Sequence, residues 1–218
     1  MIPPTLDLER ALLAGGARQV VGIDEVGRGA LAGPVSVGVV VVDAGTGPVP
    51  AGLTDSKALT APARERLQPL VMDWCLAWAV GHASAQEIDA MGIVAALRTA
   101  ALRALAALPM PCDAAILDGS HDWLSSGGDL FSPGIDTPAV TMRVKADLTC
   151  ASVAAASVLA KVVRDQHMVA LDAAYPGYGF AGHKGYGSTS HRAAIRALGP
   201  SVEHRRTWTL LPARSEDA

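Results

Sequence analysis

Scarcity narrows the chemistry of this 218-residue chain first. Its three cysteines, Cys75, Cys112 and Cys150, are an odd number at spacings of 37 and 38, with no Cys-x-x-Cys pair. That pattern excludes a disulfide framework and a thiolate zinc site, and the expectation is buried, reduced thiols. Long apolar runs are missing too. The longest aliphatic stretch, Val35–Val42 (VSVGVVVV), has eight residues, and the uncharged stretch Leu148–Ala160 has 13. Both fall short of the ~20 needed for a membrane crossing. The first ten residues, MIPPTLDLER, hold prolines and acids where a signal peptide would have a basic end and an apolar stretch, so a cytoplasmic location is expected. The 22 glycines and 14 prolines are too few for a low-complexity chain, and 50% hydrophobic residues are enough for a sizeable core.

The formal net charge of −3 hides an uneven distribution. Residues 1–142 hold eight Lys/Arg against fifteen Asp/Glu, and residues 143–218 hold ten against six. An acidic front and a basic back suit a protein that gathers metal in one place and grips a polyanion in another. Uneven surface composition accounts for the same numbers equally well.

Hydrophobic periodicity predicts a short helix over Asp7–Ala14, a strand at Val20–Ile23 and a buried strand at Val35–Val42, with Gly27, Gly29, Gly33 and Pro34 turning the chain between the two strands. Thr60–Met72 reads as a helix capped by Thr60, and Trp74–Gly81 as a strand. Gln86–Leu108 reads as one helix stopped by Pro109. Ala114–Leu117 and Ala139–Val144 read as strands, and Asp147 opens a long Ala-rich helix reaching about Leu171. A Gly-rich segment (YPGYGFAGHKGYGS) precedes a last helix at Thr189–Leu198, and only ARSEDA at the end reads as a loose tail. Strands first, then strands alternating with helices, indicate a mixed-sheet α/β fold.

The candidate chemistry sits at strand ends. Asp24 and Glu25 follow VVGI, Asp118 follows AAIL, and Asp147 lies between a strand and the long helix. Singly, such acids face water or cap helices. Acids ending neighbouring strands converge at one sheet edge, where carboxylates ~4 Å apart repel by ~4 kcal/mol and need cations. Oxygen donors without Cys or His select Mg²⁺ or Mn²⁺, and two such ions suit phosphodiester hydrolysis.

Gly27-Arg28-Gly29 comes straight after the acids, where glycines let a backbone approach a sugar or phosphate. It is not a P-loop, since no Gly-Lys-Ser/Thr occurs, and not a dinucleotide fingerprint, since a strand follows it. Asp55-Ser56-Lys57 reads either as a capping turn or as a means of aiming Lys57 at a phosphate. Lys145 stands two residues before Asp147. In HKGYGS, His183, Lys184 and Tyr186 lie between glycines, a place where a ring can be presented to a sugar. The other histidines lack ligand spacing, and Arg205-Arg206 reads either as a phosphate contact or as solvated.

Together these blocks carry a resemblance. GIDEVGRGALAGPV (Gly22–Val35), LTDSKAL (Leu53–Leu59), LDG (Leu117–Gly119), KAD (Lys145–Asp147), SVAAASVLAKVVRD (Ser152–Asp165) and HKGYGS (His183–Ser188) stand in the order of bacterial ribonuclease HII, the type 2 ribonuclease H. The chain resembles that family from about residue 18 to 210. The resemblance implies a ribonuclease H-like mixed sheet flanked by helices, with a catalytic region over residues 1–172 and a C-terminal helical segment over 173–218 packed on it. It implies a monomeric enzyme acting on nucleic acid: it hydrolyses RNA in RNA–DNA hybrids, incises 5′ to single ribonucleotides in duplex DNA, and leaves 5′-phosphate and 3′-hydroxyl ends. The four metal-holding acids map onto Asp24, Glu25, Asp118 and Asp147, the 2′-hydroxyl sensor onto Gly27, Arg28 and Gly29, and the tyrosine that stacks on the next deoxyribose onto Tyr186. Three departures stand out: Ala58 where the family often has a second lysine, Trp208 where it often has Phe, and a tail without a recognisable replication-clamp motif. Another nuclease of the same fold without 2′-hydroxyl dependence, or a non-catalytic hybrid-binding protein, would share much of this pattern. Substrate choice separates the first, and a missing acid would mark the second.

Overall fold

A computed structural model describes residues 3–125 and 137–211. Helix α1 (Asp7–Ala14) covers the residues expected of it. Strand β1 (Val20–Val26) runs beyond VVGI, so Asp24 and Glu25 belong to the strand and not to the loop after it. The extension is held by the antiparallel ladder to β2 (Val35–Val42), in which Asp24 faces Gly38 and Glu25 faces Val37. Helix α2 (Ala61–Trp74) starts where Thr60 caps the Ala63 N–H and carries Pro62 in its first turn. Trp74, expected to open a strand, instead closes this helix, because the Cys75 N–H still bonds to Val71 O and the Trp74 indole is tied to Gly47 O. Strand β3 is Ala77–Ala83.

The single helix expected over Gln86–Leu108 is two, α3 (Ala85–Met91) and α4 (Ile93–Ala106), because Gly92 at φ +80° turns the chain between them. Strands β4 (Ala114–Asp118) and β5 (Ala139–Arg143) follow. The long helix is also divided, into α5 (Ala146–Thr149) and α6 (Ala151–Ala174). Thr5 causes this break: its N–H bonds to Thr149 O and its carbonyl accepts from Ala151 N–H, which holds Cys150 extended. A short α7 (Phe180–His183) interrupts the Gly-rich segment, and α8 (Thr189–Leu198) lies where expected, capped by Ser188. The tail from Ala213 to Ala218 lies outside the described residues.

The sheet order is β3-β2-β1-β4-β5, with β3, β2 and β1 antiparallel and β4 and β5 parallel to β1. Helices cover both faces, so β2 is buried along its whole length. The two-residue period sends Val35, Val37, Val39 and Val41 into the core shared with α4, and Val40 and Val42 toward the α1, α2 and α6 side. Helix α6 lies unusually close to the sheet. A methyl at Gly22 would sit 2.3 Å from the Ser152 backbone, and one at Gly38 would sit 2.5 Å from Ala156 O. Alanines at 151, 154, 155, 156 and 160 are the helix's half of that fit.

The cysteines are free, as expected, but only Cys150 is buried. Cys75 and Cys112 lie in surface loops and are half-buried, enough to push each thiol up to about 11. No described helix is long and apolar enough to cross a membrane.

Candidate active site

Strands β1 and β4 run in parallel register as far as Ile23 and Leu117, and the next residue on each is an aspartate. Asp24 and Asp118 therefore stand side by side where β1 and β4 stop pairing, each still held in the sheet by its other neighbour, Gly38 on β2 and Arg143 on β5. The Asp118 carboxylate accepts the Ala146 N–H at 2.8 Å, which ties β4 to the first turn of α5 and brings the next residue, Asp147, to the same sheet edge. Alternation points Asp24 to the α6 face and Glu25 to the other. Because both stand at the end of the sheet, they still share one cavity of about 240 Å³ with Asp118 and Lys57.

The electrostatics show how tightly the acids are held. Asp24 is 3% exposed, and burial, with Glu25 and Asp118 adding like charge, pushes its carboxyl up to about 8. Burial also raises Glu25, whose Oε1 accepts from Arg28 Nη1 at 3.4 Å. Burial raises Asp147, with Asp118 and Asp55 contributing. The Lys57 ammonium reaches Asp147 Oδ2 at 3.4 Å and Asp55 Oδ1 at 3.8 Å. Burial alone would lower that ammonium, but Asp24, Asp55 and Asp147 outweigh it and hold it above its ordinary value. Of the two readings of Asp55-Ser56-Lys57, the structure shows the capping turn, and it pairs Lys57 with carboxylates. Asp55 caps a 3₁₀ turn over Ser56–Ala58 by accepting the Lys57 N–H, and the turn aims Lys57 at the acids.

The donor set fits hard divalent cations in kind: carboxylates crowded enough to hold protons, with no sulfur or imidazole among them. Among the described residues no three His, Cys, Asp or Glu side chains are already closed around a single ion position.

Gly27, Arg28 and Gly29 form one wall of the same cavity, and Lys161 and Tyr186 another. Gly27 has φ +82°, which a side chain would strain, and a methyl there would lie 2.1 Å from Arg164 Nε. Tyr186 is 37% exposed, its ring 5.6 Å from the Arg164 guanidinium carbon. Lys184 and Lys145 are not brought into this cavity. The Lys184 ammonium bonds to the Ala181 carbonyl, and its side chain borders a separate groove between α2 and α6. Lys145 is exposed, in a left-handed conformation (φ 60°) ahead of α5.

Sequence reasoning missed Lys161 and Arg164 as individual residues and left Arg205 between phosphate contact and solvation. Arg205 is neither: it is fully buried and bonds to carbonyls of the glycine loop. Arg206 is exposed. The signal for Arg164 was its spacing, since it stands between Ala160 and Met168 on the buried stripe of α6. Trp208 packs partly buried against the core and under the Arg205 guanidinium, 4.7 Å from it.

A five-stranded mixed sheet covered by helices on both faces, with carboxylates gathered where two parallel strands separate, defines a ribonuclease H-like nuclease. The comparisons with known proteins agree. Residues 21–211 match the family model for Ribonuclease HII, and the chain belongs to that family. It is 47% identical to the ribonuclease HII of Streptomyces coelicolor over 212 residues, covering 97% of this chain and 86% of that one. It is 46% identical to the Paracoccus denitrificans protein, covering 94% and 91%. The crystal structure of the ribonuclease H2 from Pyrococcus horikoshii OT3 superposes with a TM-score of 0.69 at 28% identity, covering 88% of this chain and 94% of that one. The activity of the chain is that of an endoribonuclease.

Proposed function

We propose that this endoribonuclease hydrolyses the RNA strand of RNA–DNA hybrids and incises duplex DNA 5′ to an embedded ribonucleotide, as a monomer in the cytoplasm, leaving 5′-phosphate and 3′-hydroxyl ends. The observation that supports this most is the meeting of Asp24, Glu25 and Asp118 with the Gly27–Gly29 backbone and the Tyr186 ring around one cavity.

Asp24, Glu25, Asp118 and Asp147 are the residues that would hold two divalent ions, Mg²⁺ or Mn²⁺. When bound, those ions supply an activated water and charge stabilisation for the departing 3′-oxygen. The protein's own share is placement. Ser157, packed beside Asp24, and the Ala146 N–H on Asp118 fix two of the carboxylates. Lys57 puts a positive charge at the Asp147 edge, where the backbone of a nucleic acid strand would pass. Arg28 and Gly29 are exposed beside the buried Gly27 and would meet a ribose and its 2′-hydroxyl, and Tyr186 offers a ring face to the sugar that follows. The segment from residue 173 onward supplies Tyr186 to the cavity wall it shares with Lys161 of α6, and Lys184, outside the cavity, is left to contact the strand farther along.

The test is cleavage of a labelled DNA duplex carrying one ribonucleotide, beside an all-DNA duplex, with and without Mg²⁺ or Mn²⁺. Metal-dependent incision 5′ to the ribonucleotide and none in the control is expected. Cutting of both duplexes would replace the reading with a general nuclease, and binding without cutting would replace it with a hybrid-binding protein.

A further inference from the structure

Behind the cavity lie two arginines with no side-chain atom open to solvent, Arg164 on α6 and Arg205 after α8. Their donors go to main-chain carbonyls. Arg205 Nη2 bonds to Gly27 O at 2.6 Å and to Gly33 O at 3.2 Å, Nη1 to Arg28 O at 2.8 Å, and Nε to Gly33 O at 3.3 Å. Arg164 Nε bonds to Pro34 O at 2.9 Å, Nη2 to Ala32 O at 3.3 Å, and Nη1 to Lys184 O at 3.0 Å. Burying a guanidinium is costly, and an apolar side chain would fill the same space without that cost. What the two planar forks supply is geometry, because each fixes several carbonyls at once.

The carbonyls belong to two separate pieces of chain. Gly27 to Pro34 is the glycine loop with its return to β2, and Lys184 opens the turn that carries Tyr186. Arg164 spans both, gripping Ala32 and Pro34 on one side and Lys184 on the other, with its guanidinium against the Tyr186 ring. Backbone bonds from Leu31 and Ala32 to Gly185 O, at 2.8 and 3.2 Å, close the same seam. Arg205 completes it from below, stacked on Trp208 and directly under the carbonyls of Gly27 and Arg28.

We propose that Arg164 and Arg205 are positioning residues that set the distance between the Gly27–Gly29 backbone and the Tyr186 ring, and thereby the preference for a ribonucleotide followed by a deoxyribonucleotide. The proposal rests on the substrate reading above. At a single embedded ribonucleotide the loop and the ring must engage two adjacent sugars of different kind at one register. A continuous hybrid offers a 2′-hydroxyl at every position of its RNA strand and makes no such demand. Loosening the seam therefore weakens junction cleavage more than hybrid cleavage.

The experiment measures kcat/KM of wild type, Arg164→Lys and Arg205→Lys on a DNA duplex with one ribonucleotide and on a continuous RNA–DNA hybrid, with thermal melts of each protein. Lysine keeps the charge but cannot serve the same set of carbonyls. The expected result is a fall of roughly tenfold or more on the single-ribonucleotide duplex against less than about threefold on the hybrid, since small misplacements act on the step that needs both contacts. In a Tyr186→Ala background, adding Arg205→Lys should leave the ratio of the two substrates unchanged. Equal falls on both substrates in both variants would overturn the proposal, as a lowered melting temperature with an unaltered ratio would. If Arg205→Lys does not fold, Arg164→Lys decides on the same criterion. A wild-type chain that cuts the hybrid but not the single-ribonucleotide duplex overturns the substrate reading and this proposal with it. A wild-type preference that survives in the variants overturns this proposal alone.

Discussion

His191 and His204 meet through their Nε2 atoms at 3.1 Å in the buried packing beneath the Tyr186 turn. The bonds at their other nitrogens assign the protons. His191 Nδ1 donates to Tyr186 O at 2.9 Å, so its Nε2 accepts, and His204 Nε2 donates to it, while His204 Nδ1 accepts the Ser201 N–H at 3.0 Å. The arrangement works only while both rings are neutral. Burial pushes each imidazole down to about 4 from an ordinary 6.5, with Arg192 and Arg206 adding positive charge nearby. Their folded-state values are depressed, so their contribution to stability is whole above pH 6.5 and is lost as pH falls toward 4. Because the rings share a hydrogen bond they titrate as a pair, and the loss over that window belongs to the pair. Urea unfolding between pH 8 and 4.5 should show it as a falling midpoint. The His191→Leu/His204→Leu double variant, less stable at pH 8, should lose less between pH 7 and 5; an equal loss would refute the assignment.

Glu9 is fully buried in α1. Its Oε1 accepts from both the N–H and the hydroxyl of Ser152, and its Oε2 has no hydrogen-bond partner among the described residues. Burial raises its carboxyl above the ordinary value. A raised folded-state value favours the folded protein at low pH, and that contribution disappears as pH rises through it. Glu9→Gln should therefore melt a few degrees higher at pH 7.5, and the gain should shrink toward pH 4.5. A lower melting temperature at pH 7.5 would show that the ionised form is tolerated.

Gly38→Ala tests the close approach of α6 to the sheet. Its methyl would lie 2.5 Å from Ala156 O and 3.0 Å from Ala160 Cβ, with backbone on one side and packed helix on the other. A loss of about 3 kcal/mol is expected by denaturant titration. A change within experimental error would mean that α6 can draw back freely.

Asp24→Asn should abolish metal-dependent incision while keeping the fold. The expected fall in kcat/KM is on the order of 10³-fold or more. In a chelator, the same variant should melt higher than wild type, because it removes a buried carboxylate crowded by Glu25 and Asp118. Substantial residual turnover would remove Asp24 from the site.

Much of the local structure was legible from side-chain pattern alone. The β-branched run Val35–Val42 marked β2, the Thr60 cap marked one helix start, and the ordered blocks from Gly22 to Ser188 marked the family. Where expectation and structure part, a distant partner decides in two cases: Thr5 divides the long Ala-rich helix at Cys150, and β2 keeps Asp24 and Glu25 within a strand. The third break is local, at Gly92, whose φ of +80° divides the helix before Pro109.

The acids, the glycine loop and the tyrosine were identifiable as residues because chemistry of this kind needs those side chains. Their convergence is a consequence of strand order. β1 and β4 lie parallel and end their pairing at Ile23 and Leu117, and this makes neighbours of Asp24 and Asp118, which are 94 positions apart. The fate of the arginines was hidden for the same reason. Arg205 and exposed Arg206 are adjacent and chemically alike, and only the carbonyls of Gly27, Arg28 and Gly33, brought from the far end of the chain, decide which of them is buried. Side-chain chemistry is local and can be read one residue at a time; burial and partnership are properties of the packed chain.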